Sequence, residues 1–103
     1  MARVALVCPD LLFGSNVEGA LRAAGHDVVR HDQAGAVGEA DVMVVDLNAI
    51  DAAPVAGMPA VGFYSHVDQD TRRRAEDAGY DVVVPRSRMA RETAAVVEGA
   101  LGR

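Results

Sequence analysis

The stretch VALVCPDLLFGSN, residues 4–16, brings a thiol, a carboxylate and a turn within a few residues of one another. An apolar run ends at Cys8, Asp10 comes shortly after it, and Ser15-Asn16 has the composition of a helix start. Three chemistries compete for this junction: a cysteine phosphate loop, an acidic pocket for a hard cation, or an ordinary turn built on Pro9, Asp10 and Gly14. Further along, Asp46, Tyr64, Ser65, His66, Arg86 and Ser87 also stand at or just past the ends of apolar runs. Whether these side chains act together depends on which elements carry the run ends to one place.

The apolar pattern defines those elements. Val4–Cys8 is short and unbroken, which suits a strand buried on both faces. Ser15-Asn16-Val17-Glu18 reads as a capping box; Val17, Ala20, Leu21 and Ala24 follow at helical spacing, and Gly25 is the stop. Asp27–Arg30 predicts a second strand, charged at both ends as suits a sheet edge. Residues 33–40 allow only a brief helix, because Gly35 and Gly38 oppose it. Val42–Val45, ending in Asp46, is a third strand, and Ala60–Phe63, behind Pro59, a fourth. The connection between them contains Pro54 and Gly57 and has room for one or two helical turns, not a full crossover helix. Residues 69–78 predict a polar helix with Thr71, Ala75 and Ala78 inward, closed by Gly79. Val82–Val84 is a fifth strand, after which Ser87 caps a last helix with Met89, Thr93, Val96, Val97 and Ala100 inward.

Strand and helix alternate five times, so the expected architecture is α/β in three layers. A doubly wound, five-stranded parallel sheet of order 2-1-3-4-5, flavodoxin-like with a shortened third helix, suits the edge character of the second strand. The expectation covers residues 1–103 as a single domain. In such a sheet ligands gather at the carboxyl ends of the strands, where Cys8, Asp10, Asp46, Tyr64, Ser65, His66, Arg86 and Ser87 would meet.

Composition narrows what that edge can do. Half of the 103 residues are hydrophobic and four are aromatic, which predicts a core of Val, Ala and Leu. A net charge of −5 and a pI near 5.0 argue against nucleic-acid or membrane-surface partners. No run is long enough to span a bilayer and no signal peptide opens the chain; one cysteine fits a reducing cytoplasm. All ten basic residues are Arg, which excludes Schiff-base chemistry and a phosphate-loop lysine.

The thiol loop fails on its residues. Low-molecular-weight tyrosine phosphatases follow the cysteine and five residues with Arg-Ser, whereas Gly14-Ser15 stands here, without the guanidinium that would bind a phosphate dianion. A sugar-transport phosphocarrier loop wants glycine where Leu11 stands. Cys8 is read as a small buried hydrophobe at a strand end.

From Asp41 onward the chain resembles a response-regulator receiver domain. DVMVVDLN resembles the third receiver strand with its phosphoacceptor, which falls on Asp46; MPAVGFYSHVD resembles the fourth strand, and AEDAGYDVVVPRS the segment ALxAGADDYLxKP. The resemblance implies a bacterial-type signalling domain, and it also exposes departures. The acidic pair that holds Mg²⁺ in receivers falls on Cys8 and Pro9, with Asp10 one step further on. The phosphoryl-contacting hydroxyl falls on Tyr64, with Ser65 next to it, and the lysine of the fifth strand on Arg86, followed by Ser87. Aspartyl phosphorylation needs a metal to offset charge in the transition state. The reading is therefore a pseudo-receiver: a non-catalytic signalling or protein-interaction domain without cofactor, acting through a protein partner or as a homodimer. Its expected interface, by resemblance, is the surface of the last two helices and the last strand.

Two alternatives stand beside it. One is a phosphoacceptor at Asp46, with Asp10 and Asp46 holding Mg²⁺. The other is a small-anion or nucleotide site at Arg86 and Ser87, where a helix amino terminus favours anions unless Arg86 pairs with Asp46 instead. His66 and Asp68 offer an acid–base or metal pair, though a loop or cap role is the simpler reading, and His26 and His31 are edge polar groups without ligand spacing. Arg72-Arg73-Arg74 beside Glu76 and Asp77 makes a solvated helix face. Leu11-Leu12-Phe13 either folds inward and closes the pocket or stays outside and meets a partner.

Overall fold

Each unbroken apolar run forms a strand, and the strands associate in parallel. The computed structural model describes residues 2–33, 35, 37–51, 53–65 and 68–102. In chain order the elements are β1 (Arg3–Val7), α1 (Leu11–Ala23), β2 (Asp27–His31), β3 (Val42–Asp46), β4 (Ala60–Tyr64), α2 (Gln69–Ala78), β5 (Val82–Pro85), α3 (Arg86–Arg91) and α4 (Thr93–Leu101). The sheet order is β2-β1-β3-β4-β5, all pairs parallel, as the pattern predicts.

Side chains alternate across the sheet and divide the core in two. Val4, Leu6, Val44 and Phe63 face α1, α3 and α4, where Val17, Leu21, Met89 and Val97 meet them. Ala5, Val7, Met43 and Val45 face the other way, toward Ala75 of α2 and Tyr80. Thr93, Val96 and Ala100 are buried with Met89 and Val97, as their helical spacing predicts.

The second face is covered more thinly than the first. Among the described residues α2 is the α-helix that packs there, and chain segments contribute Val37, Ala40, Leu47, Ile50 and Met58. Among the described residues of 33–40, Gly35 lies in a 3₁₀ helix, and residues 47–49 make a single turn in which Ile50 N–H donates to the Asp46 carbonyl at 2.8 Å. Val29, in register with Ala5, is 57% exposed, which places it on an uncovered sheet edge.

Local corrections follow from capping and geometry. α1 begins at Leu11, not after Ser15, because the Asp10 carboxylate accepts the Phe13 N–H at 3.0 Å and starts the helix a turn earlier. Ser15 and Glu18 therefore lie inside α1, and Glu18 pairs with Arg22 at 2.9 Å in place of closing a capping box. Ala20 and Ala24 are exposed, and Gly14 is buried with Val17 and Leu21. Ser87 caps nothing: α3 starts directly at Arg86 behind Pro85, and the last helical stretch divides at Glu92. Ala78 is exposed, whereas Thr71 and Ala75 are buried. No helix among the described residues is long and apolar enough to cross a membrane.

Gly62 in the middle of β4 sets how closely the crossover after β3 can lie. A Cβ there would come within 2.5 Å of Leu47 Cδ1 and 2.9 Å of Leu47 Cγ. Gly62→Ala is expected to cost about 1–3 kcal/mol by overpacking, read as a lower urea midpoint at unchanged m-value. Gly19, on an exposed position of α1 with nothing within 4 Å, is the contrast. Gly19→Ala is expected to raise the same midpoint, by about 0.5–1 kcal/mol of helix propensity.

Candidate functional site

The carboxyl ends of β1, β3, β4 and β5 bring the expected group of residues together at one edge of the sheet. Cys8 and Asp10 follow β1, Asp46 ends β3, Tyr64 ends β4, and Arg86 follows β5. The register sets Asp46 opposite Phe63 and Tyr64 opposite Pro85, so each chain reversal starts at nearly the same level.

At the centre of this edge lies the Arg86 guanidinium. Its Nη2 is 3.1 Å from Asp10 Oδ2, and its Nη1 is 3.6 Å from Asp46 Oδ2. The guanidinium carbon sits 4.2 Å from the centroid of the Phe13 ring, which packs in turn on Phe63 with centroids 5.0 Å apart. An aromatic face beneath the cation and two carboxylates at its edge fix it in place. The segment Leu11-Leu12-Phe13 is thus split: Phe13 folds inward, and Leu11 and Leu12 are 79% and 77% exposed.

Asp46 is 2% exposed, and both of its oxygens have neighbours. Oδ1 accepts the Asn48 N–H at 3.2 Å; Oδ2 faces Arg86 and, at 3.9 Å, the Cys8 thiol. Burial first, and then the negative charge of Asp46, push the Cys8 thiol above its ordinary range. That is the opposite of an activated thiolate, in keeping with the exclusion of a phosphate-loop cysteine. Arg30, from the edge strand, donates to the Cys8 and Asp10 carbonyls at 3.1 and 3.4 Å. Gly14 makes room for it, since a Cβ there would stand 2.3 Å from Arg30 Nη2. The position at which phosphatases carry arginine is glycine here because another arginine crosses over it.

Asn48 joins the neighbouring loops. Its side-chain oxygen accepts the Ser65 N–H, and its Nδ2 donates to Asp68 Oδ2 at 2.8 Å. Asp68 also caps α2, accepting from the Thr71 N–H at 3.1 Å and from the Thr71 hydroxyl. The Thr71 hydroxyl, with its N–H and Asn48 in support, holds the Asp68 carboxyl below the usual carboxylate range. Of the pair His66 and Asp68, Asp68 serves as a cap and His66 lies outside the described residues. Ser65 is tied through its backbone to Asn48, Tyr64 is 3% exposed, and Ser87 is exposed. His26 is more than an edge group: its Nδ1 accepts the Ala2 N–H at 3.1 Å while Nε2 meets Glu98 at 2.9 Å, joining the start of β1 to α4.

The sequence reading omitted Arg30, Asn48 and the platform formed by Phe13. Asn48 carries a local signal, an amide two residues past a strand-end aspartate. Arg30 carries none, because its role arises from strand order alone.

The donor set does not suit Mg²⁺. A hard divalent cation takes oxygen ligands, several of them, at a site with room for water. The β1 end supplies a thiol and a proline, and the two nearby carboxylates already share a guanidinium. Among the described residues no three His, Cys, Asp or Glu side chains are grouped to hold a metal ion.

Two measurements follow. The Asp10 carboxyl is held below the usual carboxylate range by the Phe13 N–H first and by Arg86 second. A depressed carboxylate contributes stability above its unfolded pKa and loses it as pH falls through the folded value. Asp10→Ala is thus expected to be less stable than the unmodified chain at neutral pH, with the gap in urea midpoint closing as pH falls through the acid range below the ordinary aspartate value. Asn48→Ala is expected to speed amide exchange at Ser65 and Thr71 while leaving the β1–β3 amides protected.

Comparisons with known proteins agree on architecture. No family model and no curated protein matches the chain. Among solved structures, ShkA Rec1, in complex with c-di-GMP, superposes with a TM-score of 0.78 at 23% identity, over 93% of this chain and 89% of that one. The non-phosphorylated HemR receiver domain from Leptospira biflexa gives 0.76 at 15% identity, over 100% and 96%. A response regulator from Thermotoga maritima gives 0.74 at 14% identity, over 98% of each chain. With its parallel sheet of order 2-1-3-4-5 and its strand-end aspartate, this chain has the receiver fold, of the flavodoxin-like class.

Proposed function

We propose that this chain is a pseudo-receiver, a non-catalytic signalling domain that works through contact with a protein partner or a second copy of itself. The observation that carries the reading is the internal satisfaction of the phosphoacceptor edge. Asp46 is buried with Asn48 on one oxygen and Arg86 on the other, and Asp10 is divided between the α1 cap and Arg86. Phosphoryl transfer to Asp46 requires an open line of approach and a cation that can follow charge onto the leaving oxygen. A guanidinium held by two carboxylates and an aromatic ring supplies neither.

The same pairing weakens the anion-binding alternative. Arg86 has little attraction left for an added phosphate, and Ser87 is exposed at the start of a short helix without making a cap. The surface of α2, β5 and the last helices remains the proposed interface, by resemblance to receivers. Leu11 and Leu12 add exposed apolar area on the rim of the occupied edge.

Amide NMR spectra test the reading. With millimolar Mg²⁺, adding beryllofluoride is expected to leave Asp46, Ser65 and Arg86 unmoved. Large shifts there, absent in Asp46→Ala, would establish the phosphoacceptor instead. ShkA Rec1 was solved with c-di-GMP, so a third arm adds that nucleotide without metal; shifts centred on Arg86 and Ser87 would replace the pseudo-receiver reading with nucleotide binding.

A further inference from the structure

Resting on the pseudo-receiver reading, we propose that a second copy of this chain docks edge to edge on β2. The two copies form a two-fold dimer with its axis at Val29, which leaves the β5 side of the sheet to a protein partner. β2 is the outermost strand beside β1, and no strand lies beyond it among the described residues. Asp27 N–H donates to the Ala2 carbonyl, at the start of β1, at 2.9 Å, so residues 27, 29 and 31 turn their backbone groups toward β1. Val28 and Arg30 turn theirs outward. The Val28 carbonyl bears this out, since its donor is Arg22 Nη2, at 2.8 Å, and not a β1 amide. An antiparallel pair centred on Val29 sets Val28 opposite Arg30 of the second copy. These are the two residues with outward groups, so each copy gives and takes a hydrogen bond at both positions.

The side chains along this edge are complementary to themselves. On the uncovered face Asp27 and Val29 are exposed and His31 is half-buried. In the antiparallel register Val29 meets its own copy, and Asp27 meets His31, carboxylate against ring N–H. On the other face α1 flanks the strand. Arg22 lies at Val28, and Glu18, 3.5 Å from Arg30 Nη1, lies at Arg30. The same axis therefore brings Arg22 toward Glu18 of the second copy, and Glu18 toward its Arg22. Arg30 itself is turned to the Cys8 and Asp10 carbonyls and adds no like charge to the seam. At the centre stands Val29, 57% exposed, where an isolated domain would blunt its edge with a charge. The edge is only five residues long, so the dimer is reversible.

Sedimentation velocity and amide spectra across a dilution series test the pairing. The unmodified chain is expected to dimerise toward millimolar concentration, with shifts at Val28, Val29 and Arg30 and none at Val82–Val84. Val29→Lys, which sets two cations on the axis, is expected to weaken the dimer at least about tenfold while keeping the amide spectrum of the fold. His31→Asp is expected to weaken it too, and adding Asp27→His, which exchanges the two groups, to restore it. Val29→Cys gives a readout independent of affinity. Cα atoms at such a cross-strand pair lie about 4.5 Å apart, within disulfide reach. Oxidised glutathione is therefore expected to link two copies of Val29→Cys faster than two copies of Leu11→Cys, although Leu11 is the more exposed. A chain that stays monomeric overturns the edge pairing and leaves the pseudo-receiver reading intact. So does a dimer that Val29→Lys and the charge exchange leave unchanged. Beryllofluoride shifts at Asp46 would instead overturn the pseudo-receiver reading, on which this one rests.

Discussion

A single guanidinium joins the parts of this fold that meet at the carboxyl edge of the sheet. Arg86 leaves β5, lies over Phe13 from α1, and reaches Asp10 after β1 and Asp46 at the end of β3. The contact with Asp10 is open to water and contributes little to stability, as exposed pairs do. The contact with Asp46 matters differently, because that carboxylate is buried and its cation cannot be removed without leaving an unpaired charge in the interior. One arginine thereby links the entry of α1, the end of β3 and the start of α3 in a single electrostatic unit.

Three further aspartates also meet the backbone. At the opposite edge of the sheet, Asp41 Oδ2 accepts the Arg3 N–H at 2.7 Å and Asp81 Oδ2 accepts the Ala60 N–H at 2.8 Å. These carboxylates satisfy donors at the start of strands that would otherwise turn to solvent or stay unpaired. Asp10 and Asp68 do the same for α1 and α2. The acidic composition thus has a structural use.

The two faces of the sheet differ in how they are covered. Three helices close the face of Leu6 and Phe63, whereas on the other face α2 shares the task with extended chain. Leu47 closes the crossover after β3 by packing onto Gly62, where no side chain stands in the way. Val29 is left exposed beside β1, on the uncovered edge of that face. The short connections that the sequence shows between its strands therefore reappear as a thinner layer.

The strands, their parallel order and the inward faces of the last helices were legible in the amino-acid sequence. Apolar runs such as Val42–Val45 can only be buried on both sides, and Thr93, Val96, Val97 and Ala100 lie on one helical face whatever they pack against. Helix boundaries were less so, since Asp10 and Ser15 are both good caps and only the packing of Phe13 on Phe63 decides between them. Sequence also supplied the residue types at the strand ends, with an arginine and two aspartates among them. Which of them meet was settled only in three dimensions, because ion pairing depends on distances of a few ångströms between residues far apart in the chain. Arg86 can hold Asp10 and Asp46 together only because a parallel sheet brings β1, β3 and β5 to the same edge.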